Sequence, residues 1–213
     1  MKSIHITKDA ISQMEKLQRA AFVNSLSGFK SASLIGTIGE NGQTNLAIFS
    51  SVLHLGSDPA LIGFVNRPDT ASRHTLEHIM ETKCFTINHV CSSLYKKAHQ
   101  TSARYPKTIS EFDAVGLTPE YSADFAAPYV AECRIKYGLE FAERHDLKIN
   151  GTILVIGKVV EVILPEICWL PHGGIDLELA ETITISGLDS YHKTDRLSRL
   201  SYAKPDRLPT ELL

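Results

Sequence analysis

The apolar positions of this chain follow two rhythms. Alternation with period two marks Thr44 to Ser51 as a strand, and Ser31 to Ile38, Leu61 to Val65 and the β-rich Cys84 to Val90 read as strands beside it. Spacing of three to four over Thr70 to Glu81 and Ser92 to Arg104 predicts helices, the second stopped by Pro106. Near the start, Ile11, Met14, Leu17 and Ala21 recur at helical spacing behind Thr7, an N-cap residue type, with Gly28 as the stop. One amphipathic helix is expected there. Glu40-Asn41-Gly42-Gln43 contains the Asn-Gly pair favoured in hairpin turns, so the strands on either side should run antiparallel. The second half holds two β-rich runs, Val130 to Phe141 and Gly151 to Leu164. The latter is apolar on both faces before it alternates, as expected of a long central strand. Between the halves, Ser110 to Pro128 mixes Gly, Pro, Asp and aromatic residues without a stable period and reads as an ordered surface excursion, a lid or dimer contact. The tail from Leu188 is rich in Tyr, Arg and Lys and is expected over the body or a partner subunit; Trp169, in an apolar setting, is expected in the core.

Composition narrows the class. The 213 residues suit one domain spanning 1–213, long enough for a closed barrel with decorations. A net charge of −2, with basic residues dispersed, gives no support for sequence-independent binding to nucleic acid or an anionic membrane. Cys84, Cys91, Cys133 and Cys168 form no CxxC pair, so reduced and mostly buried thiols are expected. Met1 to Asp9 has no apolar stretch of signal-peptide type and no later run reaches membrane-spanning length, which makes a cytoplasmic protein the expectation.

Candidate chemistry gathers between Leu34 and Thr75. In Asn45-Leu46-Ala47-Ile48-Phe49-Ser50-Ser51, small residues and hydroxyls stand where large β-branched residues would pack better, which suggests a flat, polar-edged group against the backbone. About twenty residues later the strand ending at Val65 delivers Arg67 and Pro68, and Asp69 to Thr75 opens a helix with Ser72, Arg73, His74 and Thr75. Two guanidiniums, hydroxyls and helix-start N–H groups form an anion site, since cations there oppose the helix dipole unless an anion offsets them. A planar ring beside a phosphate is the outline of FMN. One competing chemistry is zinc-dependent hydrolysis: His74-x-x-Glu77-His78 places two histidines on one helix face, though no third ligand is specified. No dinucleotide GxGxxG, P-loop or GxSxG elbow is present.

The same residues resemble a known family. Asn45-Leu46-Ala47-x-Phe49-Ser50-Ser51, Arg67-Pro68, Arg73-x-Thr75, Thr86 to Val90, Ala98 to Ala103, Glu111-Phe112, Gly187 to Tyr191 and Leu200 to Pro205 are together similar to the flavin reductase-like, FMN-binding split-barrel family. The resemblance implies a mainly β fold, an antiparallel Greek-key split barrel with peripheral helices, assembled as a homodimer with FMN where barrel and partner meet. It implies that Asn45, Leu46 and Ala47 lie along the ring, that Ser50 and Ser51 face the ribityl and phosphate, and that Arg67, Arg73, His74 and Thr75 serve the phosphate. Asn88 and His89 join the cofactor set, and His99 is a substrate-side candidate. The activity implied is NADH- or NADPH-dependent, flavin reductase-like; the alternative is an FMN-holding protein that stores flavin or serves a redox partner protein without its own turnover. One departure bears on that choice. Where many flavin-reducing members carry Gly-Asp-His at the start of a late strand, this chain has Asn150-Gly151-Thr152.

Overall fold

Seven antiparallel strands carry the period-two pattern into one curved sheet. The structure, a computed structural model, describes residues 2–68 and 74–212. In chain order the elements begin with helices α1 (Lys8–Gln13) and α2 (Lys16–Ser25), then strands β1 (Lys30–Ser31), β2 (Ser33–Ile38), β3 (Thr44–Phe49), β4 (Leu53–Ser57) and β5 (Ala60–Asn66). Helix α3 (His74–Thr82), β6 (Cys84–His89), α4 (Tyr95–Gln100) and α5 (Glu111–Val115) follow. The remainder is β7 (Pro119–Ser122), β8 (Phe125–Val130), β9 (Lys136–Leu147), β10 (Thr152–Ile163), β11 (Thr184–Ser186), β12 (Ser190–His192), β13 (Arg199–Leu200) and β14 (Glu211–Leu212).

The main sheet runs β3-β2-β6-β9-β10-β5-β4. Strands β3 and β4 stand at its opposite ends although only residues 50–52 separate them in sequence. The sheet therefore has to curl until its ends approach, which makes it a barrel split along one side. The corner is pinned by a side chain: β4 first pairs with β5 at Leu53 and Gly63, and two residues further along β5 the Ser51 hydroxyl accepts the Val65 N–H at 3.2 Å and donates to the Val65 carbonyl at 2.9 Å.

Alternation along β2 feeds two cores. Ile35 points into the barrel with Phe64, Phe85, Ile87, Leu139 and Val155, while Leu34 faces outward into a second layer with Leu46, Val90, Phe112, Val130 and Ile185. Strand β8 crosses the outside of β2 and β6. A Cβ on Gly36 would lie 2.2 Å from the Pro128 carbonyl oxygen and 2.6 Å from Thr86 Oγ1, so only glycine admits this approach.

Several sequence expectations need correction. The single N-terminal helix is two helices, broken where Met14 turns extended and the Glu15 carboxylate caps the second by accepting the Leu17 and Gln18 N–H groups. Its apolar side finds no core in this chain, with Leu17 75 % exposed. The 110–128 excursion contains α5 and the β7–β8 hairpin, and its Phe112 is fully buried. Residues 92–104 keep helix only at α4, and Trp169 is 57 % exposed rather than core. Helix α3 is described from His74 to Thr82; the earlier turn expected from Thr70 lies outside the described residues. The Asn-Gly hairpin, the long inner strand β10 and the free cysteines match their expectations.

Candidate functional site

Strand β3 is an edge strand, so half of its backbone groups have no partner within the sheet. Gly39 donates to Gln43 across the hairpin, and the unshifted register from there turns the N–H and C=O of Leu46 and Ile48 away from β2. The outward Leu46 N–H donates to Glu111 Oε2 at 3.0 Å. Glu111 is buried, and burial pushes its carboxyl above the usual range while the Leu46 bond pulls it back and His74 lies within electrostatic reach. Next to this bond, Ser110 Oγ and Thr44 Oγ1 are 2.7 Å apart. Helix α5 thus caps the first half of the β3 edge, and among the described residues nothing pairs with the outward backbone donor and acceptor of Ile48.

Helix α3 is welded to the same strand from its other side. Asn45 Nδ2 donates to Thr75 Oγ1 at 2.9 Å and to Thr37 Oγ1 at 3.2 Å, and all three residues are buried. Thr75 accepts from Asn45 and can still donate its own hydroxyl proton, for which no acceptor stands among the described residues. Thr37 in turn lies 3.4 Å from His78 Nδ1, and burial lowers the His78 pKa by disfavouring the imidazolium. The His74-x-x-Glu77-His78 pattern therefore does not present a metal pair: His78 is spent in the interior while Glu77 pairs with Lys107 at the surface. Among the described residues no three His, Cys, Asp or Glu side chains converge as metal ligands.

The structure brings only part of the expected set together. Asn45, Ala47 and Ser50 lie on or just after β3, Thr75 is bonded to Asn45, and His74 adjoins Thr75. Leu46 contributes its backbone, since its side chain is in the outer core. Arg67 follows β5 and is exposed; Arg73 lies outside the described residues. Ser51 has committed its proton to Val65. Asn88 is fully buried, donating to Leu34 O and Thr86 Oγ1 and accepting the Val130 N–H, which makes it the clasp that holds β8 rather than a free donor. His89 meets Thr182 Oγ1 at 3.5 Å and the edge of Tyr137, and burial lowers its pKa to about 4. His99 sits on α4, its Nδ1 2.9 Å from Tyr191 Oη in the small β1-β11-β12 sheet. A Cβ on Gly151 would lie 3.4 Å from Pro68, so the Asn150-Gly151-Thr152 turn packs directly beside Arg67-Pro68.

Sequence reasoning missed Thr37 and the role of Glu111. Both were hidden by distance in the chain, although Ser110 ahead of a Phe112 and Val115 pair, with Gly116 as a left-handed stop, is a legible short-helix signal.

Comparison with known proteins agrees with this architecture. Residues 27–168 match the model of the flavin reductase like domain. A candidate flavin reductase with a split barrel domain from Shewanella frigidimarina NCIMB 400 is 53 % identical, with a TM-score of 0.91 over 94 % of this chain and 100 % of that one. Nitrilotriacetate monooxygenase component B from Bacillus cereus shares the fold at 20 % identity and a TM-score of 0.82, covering 94 % of this chain and 100 % of that one. The FMN-binding protein from Thermus thermophilus shares it at 18 % identity and a TM-score of 0.64, covering 78 % of this chain and 86 % of that one. The curled sheet, the edge strand β3 and the match over most of the chain lead to one conclusion: this protein belongs to the flavin reductase-like domain family and has its split-barrel fold.

Proposed function

We propose that this protein holds FMN non-covalently along β3 and the start of α3 and is reduced by NADH or NADPH. The observation that carries the reading is the buried Asn45–Thr75 bond at 2.9 Å, which fixes a strand edge and a helix start as one rigid unit. The donor set suits the group: outward N–H and C=O groups at Ile48 for the pyrimidine edge of a flavin, and the Arg67 guanidinium and Thr75 hydroxyl for a phosphate. FMN, when bound, supplies the hydride-transfer chemistry. The chain's own task is to orient and to exclude water: Asn45 holds Thr75, Glu111 holds the strand edge, and Arg67 supplies charge. No side-chain proton donor is required by this reading.

A second reading is favoured by one feature. The turn beside Arg67-Pro68 is Asn150-Gly151-Thr152, with no histidine to meet a nicotinamide. On that reading the protein holds FMN for a separate redox partner protein. Titration of the purified protein with FMN, followed by NADH or NADPH under anaerobic conditions, separates the two. Saturable FMN binding followed by bleaching of the flavin absorbance supports the first; binding without bleaching supports the second; no FMN binding sinks both.

We assign a homodimer as the assembly. Leu17, Leu26 and Phe29 near the N-terminus and Ile149, Val160 and Val162 on the β9–β10 ribbon are exposed in the single chain, and a partner subunit would cover them.

A further inference from the structure

Four buried polar side chains, His78, Thr37, Asn45 and Thr75, stand in one file that ends at the start of α3, and none is more than 5 % exposed. Thr37 Oγ1 lies 3.4 Å from His78 Nδ1, and Asn45 Nδ2 lies 3.2 Å from Thr37 Oγ1 and 2.9 Å from Thr75 Oγ1. The other ring nitrogen faces the β2–β3 hairpin, where a Cβ on Gly39 would lie 3.0 Å from His78 Nε2. Hydroxyls both donate and accept, and a neutral imidazole has two tautomers, so such a file has two self-consistent directions. In one, Nδ1 is bare. Thr37 donates to it and turns a lone pair toward Asn45, the Asn45 NH2 donates to both threonines, and the Thr75 proton is left for an acceptor beyond the file. In the other, Nδ1 carries the proton. Thr37 then accepts from His78 and donates to Asn45, whose carbonyl oxygen replaces its NH2, and Thr75 spends its proton on that oxygen. The Asn45 NH2 faces both threonines here, which is the first direction. Burial disfavours the imidazolium and keeps the ring neutral, as both directions require.

We propose that His78, through the bare Nδ1 of its Nε2–H tautomer, is a positioning residue that sets this direction and so keeps the Thr75 hydroxyl a donor for the phosphate of a flavin. The inference rests on the FMN reading above and adds to it a residue that acts only through other side chains. The direction matters because a phosphate oxygen offers only lone pairs. A Thr75 that donates attracts it, and a Thr75 whose proton is spent on Asn45 meets it with a lone pair of its own. The tautomer of a ring in the interior thereby decides the sign of a contact two side chains away.

The test titrates the full chain with FMN and with riboflavin, since the ratio of the two affinities isolates the phosphate. His78→Leu and, separately, Thr37→Val break the file while keeping apolar bulk, and each should lower the FMN preference by about three- to tenfold with riboflavin nearly unchanged. His78→Asn, whose Oδ1 can stand in the place of Nδ1 as an acceptor, should restore the preference. Nitrogen-15 spectra of the unaltered protein should show the His78 proton on Nε2, a readout that needs neither a variant nor a flavin. A proton on Nδ1, an FMN preference unchanged in His78→Leu or in Thr37→Val, or equal losses for both flavins would each overturn the proposal and leave the FMN reading standing. Unaltered protein that binds no FMN would overturn both.

Discussion

At the scale of single residues, the site depends on buried polar side chains whose partners are distant in sequence. Asn45→Ala removes two donors and strands Thr37 and Thr75, so a loss of about 2–3 kcal/mol in urea unfolding is expected. The same change should weaken FMN, because the helix start is no longer tied to the strand. Arg67→Ala is the contrast: exposed and outside the core, it should leave stability within about 0.5 kcal/mol while weakening FMN more than riboflavin, which lacks the phosphate. Equal losses for both flavins in Arg67→Ala would remove Arg67 from the phosphate site. His89 carries a pH prediction with a definite sign. Its folded-state pKa of about 4 lies below the ordinary 6.5, so the unfolded chain binds more protons between those values and stability falls as the pH drops through that window. At about pH 5 the linked loss is about 2 kcal/mol, and His89→Gln should remove it, moving the acid-unfolding midpoint downward. An unchanged midpoint would mean that the imidazole is charged in the folded protein.

At the scale of elements, the argument turns on crossings and edges. Strand β8 lies across β2 at Gly36, where the nearest atoms to an added Cβ are the Pro128 carbonyl and Thr86 Oγ1. Backbone cannot retreat as a flexible side chain can, so Gly36→Ala should cost about 3 kcal/mol or more, read as a lowered urea midpoint or loss of soluble protein. Wild-type stability in that variant would show that β8 does not sit against β2. The edge of β3 is managed rather than left open, one half covered through Glu111 and the other offered at Ile48. An edge strand is a natural place for a flat group that needs both a donor and an acceptor.

At the scale of the whole molecule, apolar surface is left on the N-terminal helices and on the β9–β10 ribbon, where Ile149 is 95 % exposed. Sedimentation equilibrium should give the mass of two chains. Replacing Val160 and Val162 together by Ser should shift it toward one chain, and a loss of FMN affinity alongside is the outcome expected of the proposed homodimer with FMN where barrel and partner meet. A one-chain mass for the unaltered protein would refute the homodimer.

The sequence by itself determined the local elements and the chemistry they carry. Alternation marked β3 and the later part of β10, β-rich runs marked β2, β5 and β6, the Asn-Gly pair marked the first hairpin, and the cluster of small and hydroxylated residues at 45–51 marked the strand proposed to carry the site. These are short-range properties, readable because side-chain direction alternates along a strand whatever it later packs against. The tertiary structure alone decided which of the candidates remain available. Asn88 and His78 carry the same functional groups as Asn45 and His74, yet one became a clasp under β8 and the other a buried neighbour of Thr37. It also decided that the apolar side of the N-terminal helix finds no core within the chain, and that Glu111, sixty-five residues from Leu46, caps its N–H. The physical reason is the same in each case. A hydrogen bond or a covered face depends on separations in space that the curling of the sheet creates, and the spacing of residues along the chain does not encode them.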